Sequence, residues 1–374
     1  MSQPSETPGD IVVYVGTYTQ GDSGKGEGVY VYRLNSSSGA LTFESVFKGI
    51  ANPTYLTIHP SRRFLYSVGE VSKWQGKPSG GVTAFRIDPK TAALSLLNQQ
   101  SSEGAGPCYV SVEKTGKFLL VANYGQGSAA MLPIQPDGRL APASDVIQHR
   151  GSGIDPGRQE GPHLHSILPD PANRYAFAQD LGIDKVMIYR MDLERGKLAL
   201  HSETPVKPGA GPRHFVFHPT GGFAYLINEL DSTIIAYAWD ADRGALKELQ
   251  TANALPDGFK GQSTCADIHV SQSGRFLYGS NRGHDSIVIY AIDERTGALK
   301  LVGHEPTWGR TPRGFDIDPT GAFLLTANQE SHTIVTFRID KRTGKLALTD
   351  HVAEVPSPVC VKMVPYEELA KAAP

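Results

Sequence analysis

The chain has 374 residues, 36 Lys and Arg against 38 Asp and Glu, and is 40% hydrophobic and 20% charged. This is the composition of a folded globular protein and argues against wholesale disorder. A formal charge of −2 gives no electrostatic drive toward nucleic acid or an anionic membrane.

Glycine and proline are abundant, 40 and 26 residues, which fits a fold with many turns. The opening MSQPSETPGD has no basic segment followed by an apolar run, so no secretory leader is predicted. No stretch approaches the ~18 apolar residues of a membrane helix. Cys108, Cys265 and Cys360 are odd in number and widely spaced. That predicts neither a disulfide framework nor a CxxC metal site, and points to a reduced, cytoplasmic setting with the thiols as small buried hydrophobes.

In chain order, IVVYVGTYT (11–19) and GVYVYRL (28–34) read as two strands. Gly24, Gly26 and Gly28 between them join strand to strand, which predicts a hairpin connection rather than a phosphate loop. A unit then recurs. It opens at a Pro, runs through an alternating strand, turns, and enters a second strand headed by an aromatic. Copies begin near residues 52, 106, 165, 211, 266 and 311, and their aromatics are Phe64, Phe118, Tyr175, Phe223, Phe276 and Phe323. A β-branched third strand follows, such as STIIAYAW (232–239). Next comes a Gly-x-Leu turn, as at Gly196, Gly244, Gly297 and Gly344, and a fourth strand. Four short strands per ~50 residues is the signature of a propeller blade.

The count reaches seven only if the ends meet. The N-terminus lacks a first strand, and SPVCVKMVP (357–365) supplies one. The prediction is one all-β domain over 11–365: a seven-bladed β-propeller of four-stranded antiparallel blades, its ring closed by a blade shared between the termini. Such closure leaves no free edge. Residues 1–10 and 366–374 are read as tails, with YEELAKAA (366–373) a short helix or frayed end.

Strand direction decides which residues converge. The start of a blade's first strand and the end of its antiparallel second strand lie on one face. The openings carry Thr54, Cys108, His165, Arg213, Ala266, Arg313 and Val359. Matching Asp170-Pro171 to His218-Pro219 places His165, not His163, in the slot of Arg213. The second strands exit at Glu70, Asn123, Asp180, Glu229, Arg282 and Gln329. Two long loops, 70–81 and 145–162, are expected to rim this face. Arg313 is placed either to bind an anion or to pair with Asp316, Asp318 or another nearby carboxylate. No GxSxG elbow or HExxH motif occurs.

The strings VGTYT (15–19), GPCYVSVEKTGKFLLVANYG (106–125), RQEGPHLHS (158–166), GAGPRHFVFHP (209–219), NELDSTI (228–234) and ADIHVSQSGRFLYGSNRGHDSI (266–287) resemble the seven-bladed propeller lactonase family. That family includes bacterial 6-phosphogluconolactonases and fungal carboxy-cis,cis-muconate cyclases. The resemblance implies a His, two Arg and a Glu at the site, falling on His165, Arg213, Glu229 and Arg282. It implies hydrolysis of a small anionic lactone, with 6-phosphogluconolactone of the pentose phosphate route as substrate. No metal and no organic cofactor are expected.

Lactone hydrolysis needs a base for water and positive charge for the oxyanion. The base falls to His165 or Glu229, with Arg213 and Arg282 holding negative charge. His163, Arg313, Asn123 and Asn281 are expected as substrate contacts. Three alternatives stay open: a lactonising cyclase on the same residues, a non-catalytic binding propeller, and a purely structural ion-pair network. Oligomeric state is not legible.

Overall fold

A computed structural model describes residues 9–372. It contains seven four-stranded antiparallel sheets, each taking its strands in chain order apart from the shared one. Blade 1 combines the C-terminal strand Pro358–Pro365 with Ile11–Thr17, Gly28–Leu34 and Leu41–Lys48. Ile11 lies opposite Pro365 and Val15 opposite Val361, so the termini close the ring as the repeat count requires. Blades 2 to 7 start at Leu56–Ile58, Pro107–Val112, Leu164–Pro169, Pro212–Phe217, Thr264–Val270 and Pro312–Ile317, and these strands touch one another in sequence around the axis.

Burial follows strand position. Second strands such as Phe64–Gly69, Phe118–Asn123 and Tyr175–Asp180 are buried along their whole length, since both faces pack on neighbouring blades. Fourth strands such as Ala245–Asn253 alternate or face solvent. The apolar core divides into seven clusters, each shared by two adjacent blades; one joins Tyr225 and Ile227 of blade 5 to Leu277 and Val288 of blade 6. Seven interfaces among seven blades leave no exposed end.

The recurring aromatic and the recurring turn glycine explain each other. Gly297 of blade 6 sits on the ring of Phe223 in blade 5, and a Cβ there would lie 2.4 Å from it. Gly344 meets Phe276 at 2.3 Å in the same way. Both have φ near +72°, where a side chain is strained besides. Each turn therefore locks onto the blade before it. Tyr225 and Tyr278 add hydrogen bonds to the same two turn carbonyls, at 3.1 and 2.9 Å.

One feature of the innermost strands was not anticipated. Six of the seven carry a register shift near the start: at Leu164/Ser166, Pro212/His214, Cys265/Ile268, Pro312/Gly314 and Pro107/Tyr109, and opposite Gly16/Thr17 in blade 1. A β-bulge inserts one residue and re-aims its neighbours. Here two successive side chains, such as Arg213 and His214, reach the central cavities.

Of the two forms expected for the C-terminal segment, the structure has the short helix, Tyr366–Lys371. Leu369 is buried in the cluster shared by blades 1 and 2, and Glu368 pairs with Arg62 at 2.8 Å. No helix among the described residues is long and apolar enough to cross a membrane.

Candidate active site

A cavity of about 310 Å³ opens on the axis, lined by Glu70, Cys108, Tyr124, Arg158, His165, Glu229, Thr264, Arg282 and Arg313. Beneath it lies a chamber of about 10 Å³ that shares Glu70, Cys108, His165 and Arg313 and adds Arg213 and His214. Its volume matches a single water. The four residues that the family resemblance implies among the positions strand direction brings to this face, His165, Arg213, Glu229 and Arg282, meet here.

Glu229 is the centre of the charge arrangement. Its Oε2 accepts from Arg213 Nε at 2.8 Å and lies 2.9 Å from Arg282 Nη2; its Oε1 accepts from Arg158 Nη2 at 2.5 Å. Its side chain is 5% exposed. Burial alone pushes a carboxyl up, but Arg282 and Arg213 outweigh it and hold Glu229 well below the usual carboxylate range. With both oxygens engaged by guanidinium groups, Glu229 is ionised and has little capacity left to take a proton.

His165 is the opposite case. Burial, reinforced by Arg213 and His214, keeps its imidazole well below the ordinary value, so the ring is neutral. Nε2 lies 3.9 Å from Glu229 Oε2 and Nδ1 3.8 Å from Cys108 Sγ. The first exceeds a good hydrogen bond, and the second is a weak contact with sulfur. A neutral imidazole without a strong partner, at the junction of the two chambers, is free to accept a proton.

Arg313 pairs with neither carboxylate named for it. Asp318 caps its own turn through Thr320, Ala322 and Phe323, and Asp316 lies 3.7 Å from His269. The Arg313 guanidinium lies 5.5 Å from the Tyr18 ring centroid and makes no hydrogen bond or ion pair with the described residues. Burial works against its charge, but Tyr18 and Glu70 hold it protonated. Glu70 accepts from Tyr18 Oη at 2.9 Å and Thr54 Oγ1 at 2.5 Å. Arg282 Nε is buried with no partner, and burial lowers its guanidinium to about 10, still charged at neutral pH. Four guanidinium groups, of Arg158, Arg213, Arg282 and Arg313, against three carboxylates, of Glu70, Glu229 and Asp267, leave an excess of one positive charge in the cavity walls.

Three expected substrate contacts lie elsewhere. Asn123 and Asn281 are fully buried, and their amide nitrogens bond the carbonyls of Ser102 and Ala254 at 2.9 and 2.8 Å. They tie each blade to its neighbour and do not line the cavity. His163 stacks on Tyr124 at 4.6 Å and bonds the Tyr124 carbonyl and Glu160, so it braces Tyr124 from behind. The exit positions were also one residue short in two blades. Counting from the heading aromatic as in Phe223 to Glu229, the equivalents of Asn123 and Asp180 are Tyr124 and Leu181. Tyr124 is the residue that reaches the cavity.

Sequence reasoning missed Arg158. Residues 145–148 form the outer strand of blade 3, and the loop proper starts at residue 149. Gln159, fully buried, accepts from the backbone of Ile154 and Asp155 and donates to the Leu181 carbonyl at 2.8 Å. This anchor swings the adjacent Arg158 over the cavity onto Glu229. The run GRQEG carries no periodic signal that would have revealed it.

Residues 12–363 match the family model described as a lactonase with a seven-bladed β-propeller. The chain is 40% identical over 351 residues to the 6-phosphogluconolactonase of Bacillus subtilis, covering 94% of this chain and 97% of that one. It is 42% identical over 316 residues to the 6-phosphogluconolactonase of Formosa agariphila, covering 82% and 86% respectively. The solved periplasmic gluconolactonase of Pseudomonas aeruginosa superposes with a TM-score of 0.89 at 36% identity, over 95% of this chain and 99% of that one.

Proposed function

We propose that this chain, which belongs to the seven-bladed β-propeller lactonase family, hydrolyses 6-phosphogluconolactone to 6-phosphogluconate, the hydrolytic step of the oxidative pentose phosphate route. The observation that carries the reading is the unbalanced charge of the cavity: an unpaired Arg313 and a partnerless Arg282 Nε beside a neutral His165. A net positive wall with a guanidinium left unpaired suits a phosphate, and guanidinium forks bind its oxygens in pairs.

In this reading Arg313, Arg282 and Arg213 together hold the phosphate, and Arg213 also faces the oxygen that gains charge as water attacks the carbonyl. His165 accepts the proton of that water and returns it to the ring oxygen as the C–O bond breaks. The bound phosphate itself raises the basicity of His165 by offsetting the arginines that depress it. Glu229 holds three guanidinium groups in place. The lactone is an activated ester, so one base and a preorganised positive field are enough for a large acceleration.

The test is turnover of freshly generated 6-phosphogluconolactone, followed by coupled oxidation of 6-phosphogluconate and measured against spontaneous decay. The wild-type protein should exceed that background, and His165→Ala should lower kcat by about 10²–10⁴-fold. No acceleration by the wild-type protein refutes the reading. A folded His165→Ala with unchanged kcat removes the histidine from its role.

A further inference from the structure

Directly below Glu229 the bulged strand of blade 5 turns His214 toward the axis beside Arg213. The two side chains are hydrogen-bonded to each other: Arg213 Nη1 lies 3.2 Å from His214 Nε2. Arginine has no acceptor, so the imidazole nitrogen accepts. The proton of His214 therefore sits on Nδ1, which donates to Asp267 Oδ1 at 2.8 Å. Asp267 in turn lies 3.2 Å from His269 Nε2 through its other oxygen and accepts from its neighbour Ile268 N–H at 3.0 Å. The imidazole is confined by the rings of Tyr55, Tyr109 and His165, with centroids 5.8, 5.3 and 5.3 Å away.

The consequence lies in how Arg213 is held. Its Nε donates to Glu229, and Nη1 donates to the Ala266 carbonyl and to His214. Three of its five N–H groups are thus committed, on the two nitrogens that flank Nη2. The two on Nη2 make no hydrogen bond with the described residues. A guanidinium anchored at both Nε and Nη1 holds the Nη2 between them at a fixed angle, which is how outer residues commonly orient a working group.

We propose that His214, held in one tautomer by Asp267, is the positioning residue that aims Arg213 at the bound anion. The proposal rests on the reading that an anionic ligand occupies this cavity. Burial and Arg213 lower the imidazole to about 4, so it is the neutral acceptor at physiological pH. The role belongs to the acceptor atom rather than to the bulk of the ring.

Two substitutions separate those possibilities. Glutamine carries its carbonyl oxygen as far from the backbone as Nε2, so His214→Gln keeps an acceptor for Arg213. Asparagine reaches only as far as Nδ1, so His214→Asn keeps a donor for Asp267 and loses that acceptor. Both remove a similar part of the ring. In kcat/KM for 6-phosphogluconolactone, His214→Asn should fall about 10–100-fold, and His214→Gln should retain most of the wild-type value. The same order should appear in affinity for inorganic phosphate, measured by titration calorimetry. Equal losses in the two variants, or a better asparagine than glutamine, overturn the proposal. Lactone turnover missing from the wild-type protein, with the glutamine-over-asparagine order intact for phosphate, refutes the lactonase reading and leaves the positioning role standing. Failure of the wild-type protein to bind phosphate and to turn over lactone overturns both.

Discussion

Replacing Glu229 with glutamine should be felt first as instability. The substitution keeps the shape and removes the charge that Arg213, Arg282 and Arg158 share. Arg213 and Arg282 are 3% and 13% exposed at the side chain, so their charges lose a buried counterion; Arg158, at 40%, is largely compensated by water. Breaking a buried pair by removing one partner costs about 3–5 kcal/mol. At an unfolding entropy of roughly 2.1 cal/mol/K per residue, a chain of this length loses about 4–6 °C of Tm. The sign with pH follows from the depressed Glu229 carboxyl. Its contribution is complete above the unfolded value of about 4.3 and is lost as pH falls through the lower folded value. The gap between wild-type and variant Tm should therefore be full at neutral pH and shrink below roughly pH 4. Phosphate at constant ionic strength should recover part of the loss, worth about 2.7 kcal/mol at a hundredfold excess over its Kd. Differential scanning fluorimetry reads all three effects. A Glu229→Gln Tm within about 1 °C of wild type, set against the several degrees expected from the lost pair, refutes the view of this carboxylate as the keystone of the arginine cluster.

Arg313→Ala should raise KM for 6-phosphogluconolactone about 10–100-fold, the loss of charge-assisted hydrogen bonds worth roughly 1.5–3 kcal/mol. KM for unphosphorylated gluconolactone should stay unchanged; steady-state kinetics on both substrates checks this, and equal losses place the phosphate elsewhere. Asn123→Ala should behave the other way round. It strands the Ser102 carbonyl and should cost about 1–3 kcal/mol in thermal unfolding, with KM for the lactone unaltered.

Much of this architecture could be read from the residues because the repeat is a physical necessity at each position. The aromatic heading each second strand and the glycine of the next blade's turn recur together, since one packs on the other. The missing first strand at the N-terminus and the spare one at the C-terminus fixed the closure. His165 could be assigned over His163 because the Asp170-Pro171 turn keeps the register that His218-Pro219 sets. The positions that failed are those where a local rule breaks. Asn123 looked like an exit residue because it ends the strand, yet the residue that reaches the cavity is the one beyond it, already off the ladder.

The bulge explains why the second tier of the axis was not visible. In a regular strand Arg213 and His214 point to opposite faces, so a reading by alternation places only one of them toward the ligand. With the bulge both face inward, and bulged strands likewise carry Cys108 and Asp267 at the chamber wall. Blade 5 thus delivers a cavity residue, Arg213, and a support residue, His214, from adjacent positions. This arrangement lets a propeller surround a cationic pocket with its own orienting layer without lengthening a loop. Arg158 is the exception that does need a loop. It comes from outside the repeat, held by Gln159, and it closes the one side of Glu229 that Arg213 and Arg282 leave open.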